Sequence, residues 1–401
     1  MLTKEIALKL FEAFSIERWN DLVRPFELNE MDKSAEKMVL AYIIGKYEEN
    51  RGGEVDWDWI IHASLFDLLR KIALCDIKSP VQRMIRSKYP SEYKKLNEWV
   101  IGQYEELLKN TGLIEAFRDY LFNEKPDSFL SKRILRCAHK YSAMREFEMI
   151  SVVNEPFRVN HIQQALLKDI EVYLDLRGLQ LLIAKQKPYQ FLMIIEQLRF
   201  QTRWNQTPRI PKTSVLGHSL YVALLTFFIS KGILSMHPKR LYNNFFSALF
   251  HDLPEAVTRD IISPVKQATE GLPSIVKEIE EDVLQSDLVP LMEDFYVDEL
   301  LYFTSDEFSN RIAIDSRLKK TQKLSFEEIN TLHNKADTTA IDGELVRLAD
   351  HAAAFIEADR SIKFGISSEQ LKEGRDNIRN LYPAGKIQSA FPIGDFYAQF
   401  L

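Results

Sequence analysis

The chain has 401 residues, of which 46% are hydrophobic and 27% charged, as is typical of a globular protein. Its formal net charge of −6 argues against a general nucleic-acid-binding protein, and its two cysteines, Cys75 and Cys137, are too few for a disulfide framework or a cysteine-rich zinc site. No apolar run reaches the roughly 18 residues of a membrane span, and the first residues lack the pattern of a signal peptide. We therefore expect a cytoplasmic protein with neither a membrane nor a nucleic acid as its partner.

Helices dominate the first half of the chain. Only 14 glycines occur, and neither a glycine-rich phosphate loop nor an alternation of strands and helices is present. Apolar residues at helical spacing predict helices near 4–17, 35–47, 57–75, 91–122 and 130–148. The sequence therefore predicts an all-α fold.

The second half repeats the order of the first. The tripeptide Arg-Trp-Asn at 18–20 recurs at 203–205, an offset of 185 residues (203 − 18), and the motif D-I-x-S-P-V recurs with an offset of 184 (264 − 80). A later match has an offset of 211 (349 − 138), so the second half carries about 27 extra residues between 266 and 345. We predict two tandem helical bundles, 1–185 and 186–401.

The stretch 245–266 (FFSALFHDLPEAVTRDIISPVK) places one imidazole and three carboxylates beside an apolar helix. Carboxylates are seldom buried unless they are paired or bound to a metal. A single histidine on an apolar helix is more often a satisfied core residue than a ligand. The prediction of a metal site therefore depends on the whole set, which includes His218 upstream and Asp350 downstream on other predicted helices.

Imidazole and carboxylate groups together favour a divalent transition metal. We predict that one ion is bound by four residues: His218, His251, Asp252 and Asp350. The sequence leaves its identity open among Mn, Co, Fe, Ni, Zn and Mg. Neighbours on a helix lie about 100° apart, so the adjacent pair must occupy a helix edge that faces a cavity.

Two further carboxylates are candidate catalytic residues. Glu255 lies one turn beyond His251 and is a candidate to orient the attacking water or to take its proton. Asp260, past the expected end of the helix, is a candidate general acid that protonates the leaving group.

The first half differs where these residues would lie. It has Lys71 in place of Glu255, whereas Asp260 keeps an acidic counterpart in Asp76. The four predicted metal ligands are matched by Glu36, loosely, and by Asp67, Leu68 and His139. The sequence therefore predicts a first bundle that keeps the scaffold and lacks the metal ligands.

The second half resembles the HD-domain phosphohydrolase superfamily, whose signature is H…HD…D on an all-helical fold. Within it, the similarity is greatest to the bacterial 5′-deoxyribonucleotidases and their eukaryotic relatives. Arg-Trp precedes the first histidine by fifteen residues (218 − 203), an acidic residue follows the second by nine (260 − 251), and Pro-Val-Lys comes next at 264–266. The resemblance implies that Arg203 and Trp204 lie near the phosphate and sugar of the substrate. The alternative for this pair is a packing role, because Arg-Trp also persists in the first half.

The resemblance implies a metal-dependent phosphohydrolase that acts on a small nucleotide, such as a (deoxy)nucleoside 5′-monophosphate. Two alternatives stay open: another phosphohydrolase, either a nucleoside triphosphatase or a phosphodiesterase, and a non-catalytic nucleotide-binding regulator. Related enzymes commonly form homodimers, so either a homo-oligomer or a pseudo-dimer within one chain is expected. The extra residues before Asp350 are a candidate lid or partner surface.

Overall fold

A computed structural model describes residues 1–233, 236–259 and 268–400. The prediction of an all-α fold is confirmed, with three short strands as an addition. The helices of the first half are α1 Lys4–Phe11, α2 Glu30–Asn50, α3 Trp57–Leu74, α4 Ser79–Lys88, α5 Pro90–Gly102, α6 Glu105–Leu108, α7 Ile114–Phe122, α8 Leu130–Ser151, α9 Pro156–Glu171 and α10 Arg177–Ile183, with a 3-10 turn at Glu12–Ser15.

The second half begins with two short helices and then places longer ones around the core. Its described helices are α11 Lys187–Ile195, α12 Gln197–Phe200, α13 Val215–Lys231, α14 Pro238–Phe250, α15 Glu255–Thr258, α16 Leu272–Val283, α17 Val297–Thr304, α18 Phe326–Leu332, α19 Gly343–Lys363, α20 Glu369–Leu381 and α21 Ile393–Ala398. A π-helical turn at Leu284–Leu288 and a 3-10 turn at Val289–Leu291 follow α16.

The three strands form a small antiparallel sheet in the extra segment of the second half. Strand β1 (Asn310–Ala313) lies between β2 (Thr321–Lys323) and β3 (Ile341–Asp342). Helix α19 begins at Gly343, directly after β3. A Cβ on this glycine would lie 2.3 Å from the backbone nitrogen of Ser309, so only glycine allows the sheet to approach the start of α19. The sheet therefore fixes the helix that carries Asp350.

Helix α13 lies at the centre of the molecule and packs against α2 of the first half. It is apolar on all sides, which is the pattern of a fully buried helix. The phenol of Tyr221 on α13 donates a hydrogen bond of 2.8 Å to the carbonyl of Ala7 on α1. On α2, the Tyr42 ring contacts Phe246 and Phe250 of α14, each with centroids 5.1 Å apart. The hydrophobic core is therefore continuous from one half to the other.

The two Arg-Trp segments have the same backbone geometry. Trp19 and Trp204 both have a φ of 56°, an unusual value for a bulky residue. The residue before each tryptophan donates its backbone N–H across the loop, to the carbonyl of Leu28 (2.8 Å) in the first half and of Thr213 (2.9 Å) in the second. An isolated antiparallel bridge precedes the following helix in both cases. These contacts repeat at the offset of 185 residues found in the sequence.

Each of these tryptophans also donates its indole N–H to a buried glutamate. The distance is 2.9 Å for Trp19 to Glu146 on α8, and 2.9 Å for Trp204 to Glu357 on α19. Both glutamates are fully buried. They are 211 residues apart (357 − 146), which is the offset that the sequence gives for this later region.

The C-terminal segment packs back onto α19, as its aromatic composition indicates. The ring of Phe355 contacts Tyr397 and Phe400, with centroids 4.9 and 5.1 Å apart, and Phe391 is buried nearby. Among the helices of the described ranges, none is long and apolar enough to cross a membrane.

Candidate metal centre

The candidate site lies where α13, α14 and α19 meet. His218 is in the first turn of α13, which Ser214 caps by accepting the N–H of Gly217 at 2.8 Å. Asp350 is in the second turn of α19. The sequence places the His251–Asp252 pair on a helix, and this expectation is wrong in detail, since α14 ends at Phe250 and the pair lies in the turn before α15. Pro254 in this turn has no N–H to continue the helix.

Three of the four predicted metal ligands come together. The ligand atoms of His218, His251 and Asp350 all lie within 4.8 Å of one another, and His218 Nε2 is 3.0 Å from Asp350 Oδ1. Asp252 is adjacent to this group, with its Oδ1 3.2 Å from His251 Nε2. Its Oδ2 is buried and accepts no hydrogen bond from the described residues. A buried carboxylate oxygen without a donor is suited to a cation.

Both imidazoles are oriented through Nδ1. Glu357 Oε1 lies 3.2 Å from His218 Nδ1, and the carbonyl of Ala248 lies 2.8 Å from His251 Nδ1. These acceptors hold a proton on Nδ1 of each ring, so Nε2 is the atom that would bind a metal. In His218, Nε2 carries the proton of the hydrogen bond with Asp350, and a bound metal would replace that proton. Both Nε2 atoms face the same small volume. This arrangement of an outer carboxylate, an imidazole and a metal position is common in metalloproteins.

The electrostatics of the site suit a bound cation. Burial alone would raise the pKa of the Asp350 carboxyl, but its hydrogen bond with His218 and the charges of His218 and Arg203 hold that pKa far below its ordinary value. Burial and Arg203 would lower the pKa of His218, but Glu357 and Asp350 outweigh them and raise it. The Asp350 carboxylate therefore stays ionised near neutral pH and attracts positive charge.

Arg203 lies among the carboxylates of the site. Its guanidinium nitrogens are 3.6 Å from Asp252 Oδ2, 4.0 Å from Asp350 Oδ1 and 3.6 Å from Glu357 Oε2. A guanidinium at the edge of a metal centre is well placed to bind a phosphate group.

Trp204 has a packing contact in addition to its hydrogen bond with Glu357. A Cβ on Gly374 of α20 would lie 2.6 Å from the Trp204 ring, so the indole is held tightly against that helix. These contacts fit the packing role that the sequence left open for Trp204. Its contact with a substrate stays a prediction.

Glu255 is the first residue of α15 and is buried at 7% exposure. Its carbonyl accepts a hydrogen bond of 2.9 Å from the side chain of Gln201 in the segment before Arg203. The role of Glu255 with water stays a prediction. Asp260, together with the Pro-Val-Lys motif at 264–266, lies outside the described residues.

Glu357 is not among the residues predicted from the sequence. This residue is fully buried and binds Trp204, Thr213 Oγ1 (3.0 Å) and His218, so it joins the Arg-Trp segment to a predicted metal ligand. The signal was present in the repeat, because the same offset of 211 that relates His139 to Asp350 also relates Glu146 to Glu357.

The residues present fit a divalent metal ion. Two imidazole Nε2 atoms and a carboxylate oxygen converge, and the buried oxygen of Asp252 lies beside them. Mixed nitrogen and oxygen donors of this kind bind first-row transition metals well. The ion would be held by the predicted set: His218, His251, Asp252 and Asp350.

These features define a helical protein with a buried cluster of histidine and aspartate side chains that could hold a metal ion. Residues 195–379 match the family model of the HD domain, a range that includes the Arg-Trp segment and all four predicted ligands. This part of the chain is therefore similar to the HD-domain superfamily, whose members are generally metal-dependent hydrolases. A search of curated proteins found no match to the chain.

The substitution Glu357→Gln tests the outer carboxylate. We expect metal affinity to fall by about 10- to 100-fold, since the amide no longer supplies the charge that orients and polarises His218. Isothermal titration calorimetry with a divalent metal ion measures this change in affinity. Glu373→Gln, an exposed position on α20, is the matched control and should leave the affinity unchanged. Equal affinities for Glu357→Gln and the wild type would contradict the assigned role.

Proposed function

We propose that the protein is a metal-dependent phosphohydrolase that releases phosphate from a small nucleotide, specifically a (deoxy)nucleoside 5′-monophosphate. The observation that supports it best is the position of Arg203 beside Asp252 and Asp350. The guanidinium of Arg203 and a metal ion bound beside it would both contact the same phosphate group. The similarity of the Arg-Trp segment to nucleotidases favours a monophosphate.

Each residue has a distinct task in this proposal. When bound, the divalent ion polarises the phosphorus centre and lowers the pKa of a water molecule. Arg203 binds the non-bridging phosphate oxygens in exchange for its contacts with Asp252 and Asp350. Glu255 takes a proton from the attacking water, and Asp260 gives one to the leaving alkoxide. Glu357 keeps the Nδ1 proton of His218 in place, so that Nε2 remains a ligand.

We also propose that the first half, 1–185, is a degenerate copy of the HD domain in 186–401. The shared geometry of the two Arg-Trp segments and their buried glutamates supports it. In this proposal the two halves form a pseudo-dimer within one chain, joined through α2 and α13.

The test is a substrate panel on the full-length protein loaded with manganese or cobalt. Phosphate release is followed over nucleoside mono-, di- and triphosphates and over a cyclic nucleotide. We expect release from 5′-monophosphates, and from deoxynucleotides at least as fast as from ribonucleotides. Hydrolysis restricted to triphosphates or to cyclic substrates would replace the proposal with one of the other phosphohydrolase activities. Metal binding without any hydrolysis would favour a regulator.

A further inference from the structure

Lysine replaces the first metal ligand in the first half of the chain. Lys33 and His218 are 185 residues apart (218 − 33), and each lies four residues after the cap of its helix. Lys33 Nζ lies 2.5 Å from His139 Nδ1, just as His218 contacts Asp350. Lys33, and not Glu36, is therefore the counterpart of His218 in the first half. Glu36 instead forms an ion pair with Arg199. The position of a metal ligand is thus occupied by an ammonium group.

Other positions of the first half change in the same direction. Lys71 stands where the second half has Glu255, and Leu68 stands in place of Asp252. Asp67 is the one acidic side chain at the matched ligand positions, and it is already engaged by the phenol of Tyr120 at 2.7 Å and by Lys37 at 3.4 Å. A set of groups that suits a cation in the second half is therefore replaced by a set that is mainly cationic.

The buried ammonium of Lys33 has no ion-pair partner in the described ranges. Its side chain is fully buried, it contacts the ring of His139, and no carboxylate in the described ranges lies within 4.0 Å of its Nζ. A buried charge without a partner is costly unless the site is built to receive one. Burial and the charge of Arg18 lower the pKa of Lys33 well below its ordinary value and outweigh the opposing charges of Glu30 and Glu146. An anion in direct contact with the ammonium would raise that pKa.

Further cations act on His139. Burial and the charges of Lys33, Lys37, Lys71 and Lys140 lower the pKa of His139 well below its ordinary value. His139, Lys71 and Lys140 are each half-buried, so these three side chains are partly accessible to solvent. Lys140 is bound to Asp169 at 2.7 Å, which leaves the charges deeper in the cluster to act on a ligand.

We propose that the first half binds a phosphate group, free or carried by a nucleotide, between Lys33, Lys71 and His139. The site is separate from the HD-domain centre and does not depend on the proposed hydrolysis. Lysine ammonium groups and an imidazole N–H are the donors that phosphate oxygens prefer. The phosphate dianion also gives the Lys33 ammonium a negatively charged partner. Loss of the metal ligands has, in this view, converted a cation site into an anion site.

Calorimetric titration of the full-length, chelator-treated protein tests the proposal. The probes are inorganic phosphate, thymidine 5′-monophosphate and thymidine. We expect the two phosphate-bearing probes to bind, and Lys33→Met and Lys71→Met each to weaken that binding by about tenfold or more, since each removes one charge-assisted contact. Lys94→Met, an exposed lysine on α5, is the matched control and should bind as the wild type does.

Thermal melting separates loss of the site from loss of the fold. Without ligand, Lys33→Met should melt no lower than the wild type, because an apolar side chain replaces an ammonium without an ion-pair partner. Phosphate should raise the melting temperature of the wild type more than that of either variant. Stronger binding of the nucleotide than of phosphate identifies a nucleotide site, and the reverse identifies a phosphate site. No phosphate binding by the wild type, unchanged binding by both variants, or an equal loss in Lys94→Met would overturn the proposal.

Discussion

Asp350→Asn is expected to remove phosphate release by the protein, with a rate at least about a thousandfold lower than that of the wild type. The carboxylate contributes the negative charge that lies 3.0 Å from His218 Nε2 and near Arg203. Asparagine keeps the shape of the side chain and loses that charge, so a divalent ion is held weakly. Loss of metal activation costs several kcal/mol of transition-state stabilisation, which corresponds to about this factor. Metal content by elemental analysis and initial rates on a 5′-monophosphate are the measurements.

The matched control for this substitution is Asp337→Asn. Asp337 is exposed and lies in the same half of the chain. The change in formal charge is the same, because both substitutions replace an aspartate by an asparagine. It should retain both metal and activity. A rate for Asp350→Asn within tenfold of the wild-type rate, in protein that still carries metal, would show that Asp350 is not a ligand.

The helical periodicity of the sequence predicts most of the helices, because the residues that a helix buries recur at helical spacing. Helix α8, predicted over 130–148, spans Leu130–Ser151, because its apolar positions recur at helical spacing and face the core. The clustering of the candidate ligands was equally predictable, because carboxylates next to an apolar helix are costly to bury unless a cation or a hydrogen-bond donor compensates them. The three side chains that the structure brings together, His218, His251 and Asp350, are all in the predicted set.

Contacts between the halves were not predictable from local patterns. Helix α2 is buried along nearly its whole length although it carries Asp32, Lys33 and Glu36, which would indicate an exposed face in an isolated helix. Their partners come from the other half or from α8: Ser214 donates to Asp32 at 2.6 Å, and Arg199 pairs with Glu36. Periodicity reports which face is apolar and cannot report that a polar face is buried by distant charges.

The short strands escaped prediction for a different reason. Segments of two to four residues such as β1 and β3 contain too few positions to show an alternating pattern. Their antiparallel pairing depends on turns that bring the strands side by side and on the side chain of Arg311. This buried guanidinium donates to the carbonyls of Tyr302 (2.8 Å) and Ser309 (3.0 Å). Such a contact is defined only in three dimensions.

Arg199→Met is expected to be the most destabilising single change at the junction of the two halves. The side chain is fully buried, with Nη2 2.9 Å from Glu36 Oε2 and 3.6 Å from Glu146 Oε1. Methionine fills similar space and removes the only cation within ion-pair distance of Glu36 in the described part of the chain. A buried carboxylate left without its partner costs about 3–5 kcal/mol. Burial raises the pKa of Glu36 to about 8 even beside Arg199, so the free energy of unfolding is measured by chemical denaturation at pH 9, where the carboxyl is ionised.

A double variant separates the missing charge from the altered packing. Glu36→Gln combined with Arg199→Met removes both charges, and it should recover part of the lost stability, because Glu146 still pairs with Arg18 at 2.9 Å. The loss in Arg199→Met alone should shrink as the pH falls, since an unpaired buried carboxyl takes up a proton at a higher pH than a paired one. Arg158→Met is the control, because its exposed pair with Glu155 contributes less than about 1 kcal/mol. If Arg199→Met unfolds at the same denaturant concentration as Arg158→Met, the buried pair does not hold the halves together.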